Sequence, residues 1–223
     1  LIRNANLVIA TNPFLAEKLK EKGAAYVPII PNGVDLESLK QKQWMTKSLQ
    51  RGTLTIGYFG HLTSSWFDWD LLLRTASKRR DWVFHIIGYG EPSGLKLPGN
   101  IRFWGKVEHQ ELPSYACNWD VAIIPFREGR LTQAADPIKL YEYLYLGLPV
   151  VATNMQQLRE IPGVFPCSCG DFEETLILAK NTPFNRREVE RFVQNNAWDK
   201  RVDQILAEID RVDLSKDILK GIE

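Results

Sequence analysis

The chain has 223 residues, of which 44% are hydrophobic and 25% charged, with 28 Lys and Arg against 27 Asp and Glu for a net charge of +1. That length holds one sizeable α/β domain or one domain with extra pieces, the composition is that of a soluble globular chain, and the near-neutral charge gives no reason to expect a nucleic-acid partner. No apolar run approaches the ~20 residues that span a bilayer, no leader segment is visible, and the chain opens at Leu1 in mid-pattern, as a piece of a longer protein would.

In chain order, the apolar run 7–10 reads as a buried strand. Asn12-Pro13 then opens a helix over 14–22, which Gly23 closes. Residues 26–30 read as a second strand, and Pro31-Asn-Gly-Val-Asp35 as a turn. Residues 37–52 are polar and aperiodic, a linker. A second series follows, with strands over 54–59, 82–87, 101–104, 121–125 and 149–153. Helices over 68–78, 109–115 and 136–146 lie between them, and two more cover 171–181 and 186–211, the last strongly amphipathic. Short strands separated by helices mean parallel pairing in a doubly wound, Rossmann-like α/β sheet. Such sheets bind ligands at the carboxyl ends of their strands, so chemistry is expected just after residues 59, 87, 104, 125 and 153.

Three segments stand there. Gly60-His-Leu-Thr-Ser-Ser65 joins a strand to a helix with small residues, which lets backbone amides approach a phosphate; it also fits an ordinary connecting loop. Gly88-Tyr-Gly90-Glu91 lacks the third glycine of a dinucleotide fingerprint, because Ser93 stands in its place and Pro92 and Pro98 break any helix. That argues against an NAD-dependent dehydrogenase. The third segment, from Asp136, has a good N-cap in Asp136 and a good first helical residue in Pro137. Lys139 falls in the first turn, where the macrodipole disfavours a cation unless an anion joins it. Glu142 shares a face with Lys139 and can accept hydrogen bonds from a diol such as a ribose; taken alone, the two also fit a plain surface pair. Cys117, Cys167 and Cys169 are odd in number and too tightly spaced for a zinc site, so they read as free thiols of a reducing, cytoplasmic setting.

Taken together, Asn100-Ile-Arg-Phe-Trp-Gly-Lys-Val107, Glu111-Leu-Pro-Ser-Tyr115, Asp120-Val-Ala-Ile-Ile-Pro125, Lys139-Leu-Tyr-Glu142, Gly147-Leu-Pro-Val-Val-Ala152 and Asn195-Asn-Ala-Trp198 resemble, in order and spacing, the retaining nucleotide-sugar glycosyltransferases of the GT-B fold. The resemblance covers nearly the whole chain. It implies that residues 1–36 are the last βαβ piece of an amino-terminal domain, 53–190 the nucleotide-sugar-binding domain, and 191–223 helices that partly return toward the amino-terminal domain. It further implies transfer of a sugar from a nucleoside diphosphate to an acceptor hydroxyl with retention, without a metal or other cofactor. Lys139, the start of its helix, and amides of the loop at Gly60 and His61 would hold the diphosphate, and Glu142 the ribose. Gly88, Gly90, Lys106 and Val107 would flank the base, while Asp136, Ile138 and Leu140 accompany Lys139 and Glu142 at the donor.

Two departures stand out. The family often has an acid eight residues before Glu142, where this chain has Ala134, and often has Arg and Lys in the first loop, where this chain has His61. Arg127 or Arg130 would then add the missing charge. The motif Asp136-Pro-Ile-Lys-Leu-Tyr-Glu-Tyr-Leu144 resembles a branch that builds bacterial cell-surface polysaccharides. The implied partners are a nucleotide-sugar donor and a carbohydrate or lipid-linked acceptor held by the other half. The implied location is the cytoplasm, with contact to the inner face of the membrane left open. This piece alone is expected to bind a nucleotide without transferring sugar. A non-catalytic binding module and a GT-B sugar epimerase also fit.

Overall fold

A computed structural model of the chain describes residues 2–39 and 49–220; most of the expected linker, at 40–48, lies outside the described residues. The elements are α1 (Pro13–Glu21), α2 (Leu36–Leu39), β1 (Thr55–His61), α3 (Trp69–Lys78), β2 (Val83–Tyr89), β3 (Ile101–Phe103), α4 (Leu112–Ala116), β4 (Val121–Ile124), α5 (Arg130–Gln133), α6 (Ile138–Tyr145), β5 (Val150–Thr153), β6 (Val164–Cys167), α7 (Phe172–Asn181), α8 (Arg186–Asn195) and α9 (Trp198–Lys220). Among the described residues one six-stranded sheet forms, in the order β3-β2-β1-β4-β5-β6, and every pairing is parallel. The chain winds outward from β1 to β3, returns, and winds the other way from β4. The crevice at the carboxyl ends of β1 and β4 is therefore the switch point where such sheets take ligands.

Strand alternation sorts the core into two layers. Phe59, Ala122, Ile124, Val150 and Ala152 pack with Leu112 and Tyr115 of α4, Leu140 and Leu144 of α6, and Val189 and Val193 of α8. Ile56, Tyr58, Phe84, Ile86, Ile123 and Val151 face the other way, onto Leu71 and Leu72 of α3 and Phe172 and Leu176 of α7. Gly57 is buried in β1 because Trp119 lies across it; a Cβ there would stand 1.8 Å from the indole.

Some elements differ from expectation. Segments 7–10 and 26–30 are joined by a single bridge, Ala10 to Ile29, rather than by full strands. They lie outside the sheet over a small cluster, Ala10, Ala16, Ala24 and Val27, and an isolated pair of short segments is marginal. β6 has no counterpart in the sequence reading. It contains Pro166 and is tolerated because it is the outermost strand, where one row of amides needs no partner. The final helix is two helices: the chain breaks at Asn196 and Ala197, where Val34 bridges to Ala197 and donates its N–H to the Asn196 carbonyl at 3.1 Å. Asn195-Asn-Ala-Trp198 thus spans a helix junction that ties the opening segment to the rest.

His85, fully buried in β2, accepts at Nδ1 from the Trp104 indole at 3.2 Å. Since an indole only donates, Nε2 must carry the proton, and it donates to the Gln50 carbonyl at 2.9 Å. Both bonds suit the neutral ring, and burial lowers its pKa. The folded value lies below the unfolded one, so this contribution to stability is complete above about pH 6.5 and is lost as pH falls further. The expected outcome is that the melting temperature falls between pH 7.5 and pH 5.5 by more in the wild type than in His85→Gln, which keeps hydrogen-bonding groups but does not titrate. Parallel slopes would contradict this account. Gly57→Ala should cost about 1–3 kcal/mol in denaturant unfolding by forcing Trp119 aside; a loss below about 0.5 kcal/mol would show that the indole moves freely.

Candidate functional site

The site is built where α6 docks on the end of β1. The Tyr143 hydroxyl, fully buried, accepts from the Phe59 N–H at 2.8 Å and donates back to the Phe59 carbonyl at 3.3 Å. This clamp sets α6 against β1, and one turn earlier it places Lys139 beside Tyr58. Lys139 Nζ donates to the Tyr58 hydroxyl at 2.8 Å and lies 4.4 Å from the centre of that ring. The Tyr58 hydroxyl in turn donates to the His61 carbonyl at 2.8 Å. Phe126, after β4, supplies a second ring 5.7 Å from the ammonium. Burial pulls the Lys139 pKa down to about 8, partly offset by the negative charge of Glu142. The cation thus has a hydroxyl and two aromatic faces, but no carboxylate within salt-bridge distance among the described residues.

Backbone at the strand ends makes room for it. Gly60 has φ +139°, and a Cβ on it would stand 2.2 Å from Lys139 Nζ. Gly88, its partner across β1 and β2, would put a Cβ 1.8 Å from the Gly60 carbonyl. Side chains here would close the approach between strand end and helix start.

A cavity of about 690 Å³ opens over these atoms, lined by Phe59, Gly60, His61, Gly88, Lys106, Val107, His109, Asp136, Ile138, Lys139 and Glu142, among others. A second space of about 360 Å³ adjoins it, sharing Asn32, His61, Asp136 and Lys139 and extending along Trp66, Phe126 and Ala134. Both volumes are in the range of small-molecule sites. Glu142 meets His109 rather than Lys139: Nε2 of His109 lies 2.6 Å from Oε1 of Glu142. That bond raises the His109 pKa against the opposing effect of partial burial.

The structure therefore brings together most of the expected residues and leaves four aside. Leu140 is fully buried in the core, because it follows Lys139 by about 100° around the helix. Gly90 is exposed and does not line the cavity; a Cβ on it would stand 2.8 Å from His61 Nε2. Arg130 is exposed on α5, away from both spaces, and Arg127 is engaged with Asp70 at 2.7 Å. Asp136 lines the cavity but does not cap α6, which begins at Ile138 with no capping side chain. Its carboxylate instead accepts from the Asn32 N–H at 2.5 Å and the Tyr141 hydroxyl at 3.2 Å, and burial raises its pKa. The start of α6 is left open toward the cavity. Asn32, Tyr58, His109 and Phe126 were not singled out by sequence. Among the described residues no helix is long and apolar enough to cross a membrane.

Residues 53–179 match the family described as glycosyl transferases group 1. The chain belongs to that family. It is 27% identical over 194 residues to TuaH of Bacillus subtilis (strain 168), provisionally named a teichuronic acid biosynthesis glycosyltransferase, covering 80% of this chain and 48% of that protein. The chain thus spans about half the length of that relative. Among solved structures, sucrose-phosphate synthase of Thermosynechococcus elongatus superposes with a TM-score of 0.69 at 14% identity, over 96% of this chain and 60% of that one. HepE of Anabaena, solved with UDP-glucose, gives 0.65 at 17% identity, over 93% of this chain and 64% of that one. The fold is the Rossmann-like domain of GT-B glycosyltransferases.

Lys139 is poorly solvated in the absence of an anion. Its folded pKa of about 8 lies below the unfolded value, so the cost to stability is complete below pH 8 and disappears above the ordinary lysine range. Lys139→Met should therefore stabilise the protein at pH 7, by on the order of 2 kcal/mol in urea unfolding, with a smaller gain at pH 10. A destabilised variant at pH 7 would contradict this reading.

Proposed function

We propose that the cavity binds a nucleoside-diphosphate sugar, and that this chain is the donor-binding part of a longer transferase which passes the sugar to an acceptor hydroxyl with retention. The observation that carries the reading is the desolvated Lys139 at an uncapped helix start, with no carboxylate within salt-bridge distance among the described residues, opening on a cavity at the switch point of the sheet. In this reading the diphosphate lies at Lys139, the start of α6 and the amides of Gly60 and His61. These fixed donors meet the charge that develops on the leaving phosphate, so no metal is required. Glu142 accepts from the ribose, and Lys106 and Val107 flank the base. The sugar enters the smaller space along Trp66, Phe126 and Ala134. With Ala134 in place of an acid, the sugar is held by neutral groups on that side.

The acceptor, a carbohydrate or lipid-linked chain, is contributed to by the half of the relatives' length that this chain does not span. The relationship to TuaH supports a role in cell-surface polysaccharide synthesis; in this reading the reaction takes place in the cytoplasm, at the inner face of the membrane.

Calorimetric titration with UDP, GDP and their sugars tests the reading. Binding of one base is expected, without sugar transfer by this chain alone. Lys139→Met and Glu142→Gln should each weaken that binding at least about tenfold, or roughly 1.4 kcal/mol. Affinity in the wild type should fall as pH rises through about 8, where Lys139 loses its proton. Absence of heat with either nucleotide and with its sugars would overturn the proposal.

A further inference from the structure

Glu142 is anchored at one oxygen and open at the other. Its Oε1 lies 2.6 Å from His109 Nε2, and among the described residues no other group hydrogen-bonds to this carboxylate. The side chain is only 12% exposed, yet its second oxygen is not among the buried polar atoms that lack a partner, so it faces the cavity that both residues line. His109 belongs to a single turn, His109–Glu111, that precedes α4. The structure does not need the pair to hold these elements together. Leu112 and Tyr115 already anchor α4 in the core, and Tyr143 clamps α6 to β1. The charges around His109 are Glu142 from α6 and Asp35 from the opening segment, with Glu108 and Glu111 beside it in sequence and Lys106 and Lys139 in the same cavity wall. Glu142 is the group its ring nitrogen reaches.

We propose that His109 is a positioning residue for ribose recognition: by holding Oε1 of Glu142, it fixes the carboxylate so that the other oxygen meets the ribose hydroxyls, and so makes the cavity select ribonucleotides over 2′-deoxyribonucleotides. This rests on the reading of the cavity as a nucleoside-diphosphate site. A glutamate has three rotatable bonds, and an untethered one would spread its acceptors over several directions. Tethered, it presents one charged acceptor in one direction. A ligand lacking the hydroxyl then leaves that acceptor desolvated and unpaired, which is the source of discrimination in sites built to hydrogen-bond a hydroxyl.

The test is titration of UDP and 2′-deoxy-UDP, and of GDP and 2′-deoxy-GDP, into the wild type and into His109→Phe, His109→Asn and His109→Gln. For the base that binds, the wild type should prefer the ribonucleotide at least tenfold. In His109→Phe, and in His109→Asn, whose amide is too short to reach Glu142, the ratio should fall below threefold, with the deoxynucleotide affinity nearly unchanged. His109→Gln places an amide nitrogen where Nε2 stood and should restore most of the preference. Equal weakening of both nucleotides would assign His109 a merely structural role and overturn the proposal. Tighter ribonucleotide binding in His109→Phe would make His109 a plug over Glu142 and also overturn it. If the wild type binds neither UDP nor GDP, the reading of the cavity falls, and this assignment with it.

Discussion

The ammonium of Lys139 sits at the start of a helix, over two aromatic rings, with a tyrosine hydroxyl as its hydrogen-bond partner and the end of a glycine strand against it. Apart from Phe126, which follows β4, those neighbours are set by the packing of α6 on β1, and that packing turns on the Tyr143 clamp. A cation in the first turn of a helix is electrostatically misplaced, and burial aggravates the misplacement. Proteins keep such arrangements where something else completes them. A dianionic group at that point would satisfy the lysine and the open helix start at once.

The same geometry explains the glycines. Gly60 and Gly88 pair across β1 and β2; the Gly60 carbonyl occupies the volume a side chain on Gly88 would need, and the Lys139 ammonium the volume a side chain on Gly60 would need. Their absence of side chains lowers the floor of the crevice to backbone, which is what a bound phosphate or nucleoside requires. Two apolar layers cover the faces of the sheet, and burial within β2 lowers the pKa of His85.

Much of this was legible in the residues. Parallel strands, ligand chemistry at their carboxyl ends and the face shared by Lys139 and Glu142 follow from local pattern, because strand runs and helix spacing are local signals; the switch point needed the strand order, which only the fold supplies. Features that depend on distant partners were not legible. His109 stands in the polar run Glu108-His-Gln-Glu111, and its partner Glu142 is 33 residues away, so no spacing rule joins them. Asp136 has the composition of a helix cap, but the Asn32 amide, 104 residues earlier, competes for its carboxylate. Arg130 has the charge a phosphate wants, but it is exposed on α5 and lines neither cavity. β6 carries a proline, which speaks against a strand until its place at the sheet edge is known. Tyr58 reads as one more strand residue; only the fold shows its hydroxyl under the lysine.

Lys139 is held ready for an anion, and its ionisation reports this directly. Selective isotope labelling of lysine side chains, with Lys139→Met to assign the signal, allows its titration to be followed by NMR with and without a nucleoside diphosphate. A midpoint near pH 8 is expected in the free protein, because burial opposes the charge, moving upward by at least about one unit when the nucleotide binds. A free-protein midpoint in the ordinary lysine range, or a midpoint that a bound nucleotide leaves in place, would contradict it.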